Sequence, residues 1–320
     1  AVKRSSEEHL NKLEATIQEH YTSIHPAVKW RFIEAAEKHQ KQLYEGVEKP
    51  ILDEIVFNDV YPLYGQSDIK GSSVSRNKAI KEDLTTQLTL AIDVMSEACK
   101  NEKLPIYEEL MFRIKQYLKN VTSGLKAGDE IAIIDFLKQD IYPAFNHIKQ
   151  LNENLSDQIA VYMNRLDSKL QVVYDKRKDY EDSVTLLNDK LATYIDSKQE
   201  EAQEMFPYYF ERYKTDGIEH NIYIGQSLVR NKTFDKLYLY NLRLWQLQMM
   251  FEMENIAHQA REEMNHDLRV ASLILVHSNP LAIKFRMDEK QFDVDGAYNI
   301  RYEIIKKRID KAHIKGTNER

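Results

Sequence analysis

A glycine-bearing connection in the first part of the chain combines residue types that could hold an anion. Ser72 and Ser73 stand where a helix should begin, so free helical N–H groups would point at a bound oxyanion, and Lys70 and Arg76 would neutralise it. The spacing is not that of a P-loop. The alternative is a surface connection in which Ser72 or Ser73 caps the helix and Asp68 pairs with Arg76. The candidate ligand- or partner-binding residues here are Tyr64, Gln66, Asp68, Lys70, Ser72, Ser73, Arg76 and Asn77.

A second concentration of polar residues surrounds an expected β-hairpin at 268–287. A continuous apolar run is followed by a turn at His277, and the residues after Pro280 alternate in polarity with period two. Asp293 opens a stretch similar to the start of a calcium loop, but its twelfth residue is Ile304, where an EF-hand needs Glu. Turn and helix-cap chemistry explains these acids more simply. The candidate ligand- or partner-binding residues of this surface are His277, Asn279, Arg286, Asp293, Asp295, Asn299 and Arg301.

A third set, Glu254, His258, Glu262 and His266, would lie along one helix face and offers carboxylate and imidazole ligands for a metal. Glu263 and His266 make one Glu-x-x-His motif, but a di-iron bundle site needs a second one on another helix, and the chain has none. A solvated face is therefore the simpler interpretation. The dinucleotide, Walker, serine-hydrolase and H-E-x-x-H motifs are also missing. We therefore predict no catalytic residue, metal or cofactor, and lean away from an enzyme.

The composition indicates which elements position these residues. The 320 residues include only nine Gly and seven Pro, with 42% apolar and 30% charged residues, which favours long helices. We predict a mainly α chain of the α+β class, a helical bundle with one long heptad helix and a small C-terminal β-hairpin. The bundle should occupy 1–204, and 205–320 should hold the hairpin and a basic helix from about 297 to 314. One continuous domain is the alternative.

A heptad pattern between 156 and 201 is the clearest structural signal. Its a positions are Met163, Leu170, Arg177, Val184, Leu191 and Lys198, and its d positions are Ile159, Leu166, Val173, Tyr180, Leu187 and Tyr194. The pattern is compatible with a helix packed within its own chain, with a two-chain coiled coil that makes a homodimer, or with a broken helix. A later helix from about Phe234 is apolar over a broad arc, which predicts a central position in the fold.

Charge and hydropathy exclude several classes of protein. The net charge of −6 gives no general reason to expect nucleic acid, and no apolar run is long enough for a membrane span. No basic segment followed by an apolar core opens the chain, so we expect a cytoplasmic location. The single Cys99 excludes an internal disulfide. Because the chain starts at Ala1 and stops directly after a charged stretch, we expect a processed form or an excised segment.

Three stretches resemble a group of large, uncharacterised cytosolic proteins of the Bacteroidetes type. They are VYPLYGQSDIKGSS at 60–73, FPYYFERYKTDG at 206–217 and HSNPLAIKFRMDEKQFDVDGAYN at 277–299. Proteins of that group carry names such as GAF-domain-containing or adenylate-cyclase-like. The resemblance implies a segment of a multidomain bacterial signalling protein, next to a GAF-type sensor module, and supplies no catalytic residues. The cyclase name fits poorly, because the sequence has few strand signals.

These observations favour a non-catalytic signalling or scaffolding segment, whose helices transmit or present a signal from a protein partner or an adjacent sensor domain. The alternatives are an enzyme or ligand-binding protein with an unrecognised phosphate- or metal-dependent site, and a purely structural dimeric coiled coil.

Overall fold

The computed structural model describes residues 26–49, 51, 53–126, 128–288, 291–294 and 304–308. The helices are α1 (Lys29–Tyr44), α2 (Ser72–Asn101), α3 (Pro105–Ser123), α4 (Asp129–Phe136), α5 (Tyr142–Ile148), α6 (Glu153–Asn164), α7 (Lys176–Met205) and α8 (Lys236–Ala260). The strands are β1 (Val56–Ile69), β2 (Tyr209–Thr215), β3 (Gly217–Ile224), β4 (Val270–His277), β5 (Leu281–Arg286), β6 (Gln291–Val294) and β7 (Ile304–Arg308). None of these helices is both long and apolar enough to cross a bilayer.

The chain forms two compact units. Residues 71–186 and 261–268 make a helical unit, and the described residues of 1–70, 187–260 and 269–320 make an α+β unit. The boundary between 186 and 187 falls inside α7, and the predicted division near residue 204 also falls inside that helix.

The helical unit is built around α2, a helix of 30 residues that contains no Gly or Pro. Its side chains at Leu84, Leu88, Ala91 and Met95 are buried, as the helical spacing predicts. They pack in one apolar cluster with side chains from α3, α4, α5 and α6. The stripe on α2 is therefore the axis of this core.

The prediction of one long heptad helix is wrong, because α6 ends at Asn164 and α7 begins at Lys176. The break is stabilised by polar groups of α2. The buried carboxylate of Asp83 accepts the backbone N–H groups of residues 175, 176 and 177 at 3.3, 3.0 and 2.9 Å, and so caps the start of α7. The Oε1 atom of Gln87 accepts the N–H of Val173 at 3.1 Å. Heptad residues such as Ile159 are buried within their own chain.

The predicted fold class is wrong as well, since the chain holds far more than a small hairpin. A seven-stranded antiparallel sheet has the order β2-β3-β1-β4-β7, and β5 pairs with both β1 and β6. Its central strand, β1, covers most of the stretch that we expected to be a connection. Gly65 lies within this strand, opposite His220 of β3. A Cβ atom on residue 65 would lie 2.3 Å from Cε1 of His220, so only glycine leaves room for the imidazole ring. The glycine therefore marks a close approach and not a turn.

The two strands of the expected hairpin exist, but they do not pair with each other. Both run antiparallel to β1, with Val276 opposite Leu63 and Leu281 opposite Val60. The predicted turn is thus a break between two strands, one of which pairs with the second half of β1 and the other with its first residues. A bulge in β1 lies at this level, where Asp59 has φ 54°.

Strand β7 pairs with β4, although a basic helix was predicted over this stretch. That prediction is wrong for 304–308, where Ile304 and Ile305 are β-branched and suit a strand beside β4. The other residues of the predicted helix, at 297–303 and 309–314, lie outside the described residues.

The two faces of the sheet are covered differently. One face packs on α7 and α8, with Leu63 and Ile222 against Ala202, Leu239 and Leu242. On the opposite face α1 covers only one end, where its Phe32 joins a cluster with Phe57, Phe285 and Phe292. The other end of that second face carries partly exposed polar and aromatic side chains of β1, β2 and β3.

Candidate functional site: the open face of the sheet

Strands β1, β2 and β3 bring polar and aromatic side chains together beyond the end covered by α1. Tyr64 lies opposite Asn221 and Gln66 opposite Glu219, while Glu211 and Tyr213 of β2 lie opposite the same two residues of β3. Alternating side chains of paired strands share one face, and all of these are partly exposed. We call this surface the open face; it consists of Tyr64, Gln66, Asp68, Glu211, Tyr213, Glu219 and Asn221.

Tyrosine hydroxyls orient one of the carboxylates. The hydroxyl of Tyr213 donates to Oε2 of Glu211 at 2.8 Å, and the hydroxyl of the buried Tyr209 donates to the other oxygen. Tyr209 in turn packs against Phe292, with ring centroids 4.8 Å apart. A carboxylate that accepts two such bonds has a defined direction, which is what a recognition surface needs.

The electrostatics of the open face are those of crowded negative charge. Burial, together with the nearby carboxylates of Asp216 and Glu219, raises the pKa of Asp68 above its ordinary value of 3.8. Burial and the adjoining Glu219 also raise the pKa of Tyr64 far above 10, and burial and Glu211 do the same for Tyr213. No lysine or arginine occupies this side of the described strands β1 to β4. Such phenols are too weakly acidic for acid–base work, whereas the surface suits a cation.

Three of the residues predicted for the first connection, Tyr64, Gln66 and Asp68, therefore lie on one face of β1. The remaining ones, Ser72, Ser73, Arg76 and Asn77, belong to the first turns of α2, and Lys70 lies in the link before it. Gly71, with φ 64°, holds the cap position of α2, so neither serine caps the helix. The structure thus divides this candidate site between a strand face and a helix start.

The residues predicted around the hairpin form two local contacts. Nδ1 of His277 lies 2.7 Å from the carbonyl oxygen of Asn279. Arg286 pairs with Asp288 at 2.8 Å and with Asp293 at 3.5 Å, which ties β5 to β6. These contacts explain the residues as stabilisers of a strand break and of a strand pair. Asp295, Asn299 and Arg301 lie outside the described residues.

The stripe considered as a metal site is not continuous. Helix α8 ends at Ala260, so Glu262 and His266 lie beyond it. Oε1 of Glu254 accepts the backbone N–H of Ser272 at 3.2 Å. Among the described residues there is no group of three or more His, Cys, Asp or Glu side chains placed to hold a metal ion.

Glu211, Tyr213, Glu219 and Asn221 are the open-face residues that sequence reasoning missed. A signal was present, because Tyr209, Glu211 and Tyr213 stand at every second position, as residues on one face of a strand do. The aromatic residues of that tract fall on both faces of the strand, so its sequence alone does not separate a buried face from an exposed one.

The helical unit contains a separate groove of about 510 Å³. Its wall combines apolar side chains such as Leu90 and Val161 with the carboxylates of Asp93, Glu97 and Asp157. The groove lies wholly within the part of the chain that a family model matches.

Residues 78–191, about a third of the chain, match the model of a family described as YeeD uncharacterised protein. This match covers most of the helical unit and ends before β2, so it does not include the open face. No curated protein and no solved structure matches the chain. The family description carries no activity, and the resemblance to GAF-domain-containing or cyclase-like proteins stays a prediction.

Proposed function

We propose that this chain is a non-catalytic signalling or scaffolding segment of a larger cytoplasmic bacterial protein, and that its open face binds a protein segment rich in lysine or arginine. The observation that carries the proposal is the set of partly exposed carboxylates, Asp68, Glu211 and Glu219, which lie among tyrosines without a cation on the same side of strands β1 to β4. The partner is another protein or an adjacent sensor domain.

Physical chemistry favours a cationic partner over a neutral one. Like charges on a partly desolvated surface repel each other, and an arriving guanidinium or ammonium group relieves that repulsion. An arginine can also stack on a tyrosine ring, which contributes about 0.5–1 kcal/mol at an exposed site. Each exposed ion pair adds about 0.2–1 kcal/mol. Several such contacts together support binding that is reversible and sensitive to salt.

Described basic residues flank this surface at two places: Lys70 and Arg269 adjoin the Asp68 end of β1 and β4, and β7 lies at the edge of the sheet opposite β2. Lys306 and Arg308 on β7 are in register with Leu275 and Leu273 of β4. With strands about 4.8 Å apart, β7 is roughly 14 Å from β3 and about 19 Å from β2. An arginine and a glutamate side chain cannot bridge backbones about 19 Å apart, so the basic residues of β7 leave Glu211 for a partner.

Helix α7 supports the signalling part of the proposal, because it contributes residues to both units. A continuous helix of 30 residues is a suitable element for passing on a change in occupancy.

Fluorescence anisotropy with a labelled octapeptide of alternating arginine and serine tests the proposal. The alternation places every arginine on one side of an extended peptide, which matches the period of the sheet. We expect saturable binding that weakens between about 50 and about 200 mM salt, because partly exposed charges are screened. A glutamine–serine octapeptide should not bind. Equal binding of the two peptides would contradict the proposal.

Substitutions locate the site. The double variant Glu211→Gln and Glu219→Gln should weaken peptide binding by about 5- to 30-fold, since it removes two charge contacts of up to about 1 kcal/mol each. The double variant Glu108→Gln and Glu109→Gln on α3 is the matched control, because it removes the same number of charges at exposed glutamates of the helical unit. If the control weakens peptide binding as much as the Glu211 and Glu219 substitutions do, the attraction is non-specific and the site is refuted.

A further inference from the structure

The outer face of α8 is apolar, although its inner face already fills the core. Inward side chains such as Leu239, Leu242 and Met253 are buried. The outward ones repeat with alternating spacings of three and four residues, which is a heptad seam. These exposed residues, which we call the α8 stripe, are Leu237, Tyr240, Leu244, Leu247 and Phe251. The apolar arc of α8 is therefore wider than the face that the core covers.

The α8 stripe is also nearly free of charge. From 237 to 251 the other exposed positions are Asn241 and Gln248. The sole ionic residue of this stretch, Arg243, is half-buried and donates to the carbonyl oxygen of His277 at 2.8 Å. A solvated helix face normally carries charged residues, and 30% of this chain is charged. Apolar and uncharged polar side chains are typical of the core of a protein interface.

We propose that a second copy of this chain covers the α8 stripe, so that two α8 helices pack along their heptad seams. A seam of this spacing is complementary to an identical seam, and a two-fold axis makes each contact twice. With exposures from 38% at Leu247 to 71% at Leu237, and roughly 200 Å² for each large side chain, each copy exposes about 500 Å² of stripe.

That area is sufficient for a specific interface. Two stripes would bury about 1,000 Å² before flanking residues are added, which reaches the lower bound for a specific protein–protein contact. A continuous exposed patch of this size is also at the upper end of what a monomer carries. The predicted dimer seam at 156–201 is a poorer candidate, because its Ile159, Tyr180 and Leu187 are already buried within the chain.

Sedimentation equilibrium of the 320-residue chain at about 1 to 200 µM tests the proposal. We expect a mass near twice 37.7 kDa at the upper concentrations. Leu244→Glu should raise the dissociation constant by at least about 100-fold, because it places two charges at the centre of the seam. Phe112→Glu on α3 is the matched control, since Phe112 and Leu244 are both 61% exposed. It should keep the dimer mass.

Tyr240→Glu provides a second variant on the α8 stripe, and far-UV circular dichroism checks that each variant keeps the helix content of the wild type. A wild-type mass of 37.7 kDa at the highest concentration would overturn the proposal. So would a dimer that survives both stripe variants, or one that Phe112→Glu dissociates equally well.

Discussion

A buried histidine makes the stability of the α+β unit depend on pH. His220 has no exposed surface, and its Nε2 atom lies 3.1 Å from Nε2 of Gln246. Its ring stacks on Phe210, and its Nδ1 has no hydrogen-bond partner within the described residues. Burial lowers the pKa of His220 from its ordinary value of 6.5 to about 3, because a charged imidazole would lose its hydration here.

The sign of the effect follows from where the proton binds. Between about pH 3 and pH 6.5 the imidazole is neutral in the folded chain and protonated in the unfolded chain. The contribution of the neutral His220 to the free energy of unfolding is therefore fully present above pH 6.5 and is lost as the pH falls through that value. At about pH 5 the loss is about 2 kcal/mol, from roughly 1.4 kcal/mol per pH unit over about 1.5 units.

We predict that His220→Leu abolishes this part of the pH dependence. Between about pH 8 and pH 5, the free energy of unfolding of wild type should fall by about 2 kcal/mol more than that of the variant. Urea unfolding followed by tryptophan fluorescence is a suitable assay, since Trp30 and Trp245 both lie in the α+β unit. The protein concentration must be held constant, because dimer formation adds to stability.

His258→Leu is the control, because it makes the same substitution at an exposed histidine of α8. It should leave the pH dependence of wild type unchanged. If His220→Leu and wild type lose the same stability on acidification, the buried imidazole is not the source of the effect and the reasoning fails.

Three further predictions concern stability. Asp83→Ala should lower the free energy of unfolding by about 3 kcal/mol, because the start of α7 loses its cap. Asp83→Asn should lower it less, since one acceptor oxygen remains. Urea unfolding followed by circular dichroism measures both variants, and equal losses would contradict the capping role. Gly65→Ala should cost about 2 kcal/mol or more through its clash with His220. That cost should shrink in a His220→Ala background. If a double-mutant cycle shows that the two substitutions have additive effects on the free energy of unfolding, the clash is refuted. Asp68→Asn should stabilise by about 0.5 kcal/mol or less at neutral pH, because the raised pKa of Asp68 makes folding less favourable as the pH rises above 3.8. The advantage should vanish below that pH in acid titrations of both proteins.

Local sequence patterns reveal the buried face of a single helix better than the pairing of strands. The apolar stripe of α2 is visible in its helical spacing, since a helix shows its buried face within a few turns. The strands after residue 270 are equally visible as apolar and alternating runs. Their pairing was not, because β4 and β5 both contact β1, which lies about two hundred residues earlier in the chain.

The missed elements depend on distant partners. Gly65 and Gly71 suggest a loop until His220 is known to lie against Gly65. The heptad pattern hides a break, because the cap of α7 comes from Asp83 on another helix. Tyr64, Gln66 and Asp68 could be named as candidates from the sequence, yet their common face appears only once β1 is known to be a strand.

Parallel measurement of peptide binding and stability on wild type and Asp68→Asn tests the role of the open face most directly. If this carboxylate is kept for a cationic partner, the variant should be the more stable protein and should bind the arginine–serine octapeptide about 2- to 5-fold more weakly. A variant that is more stable and binds the peptide as tightly as wild type would contradict the proposed function.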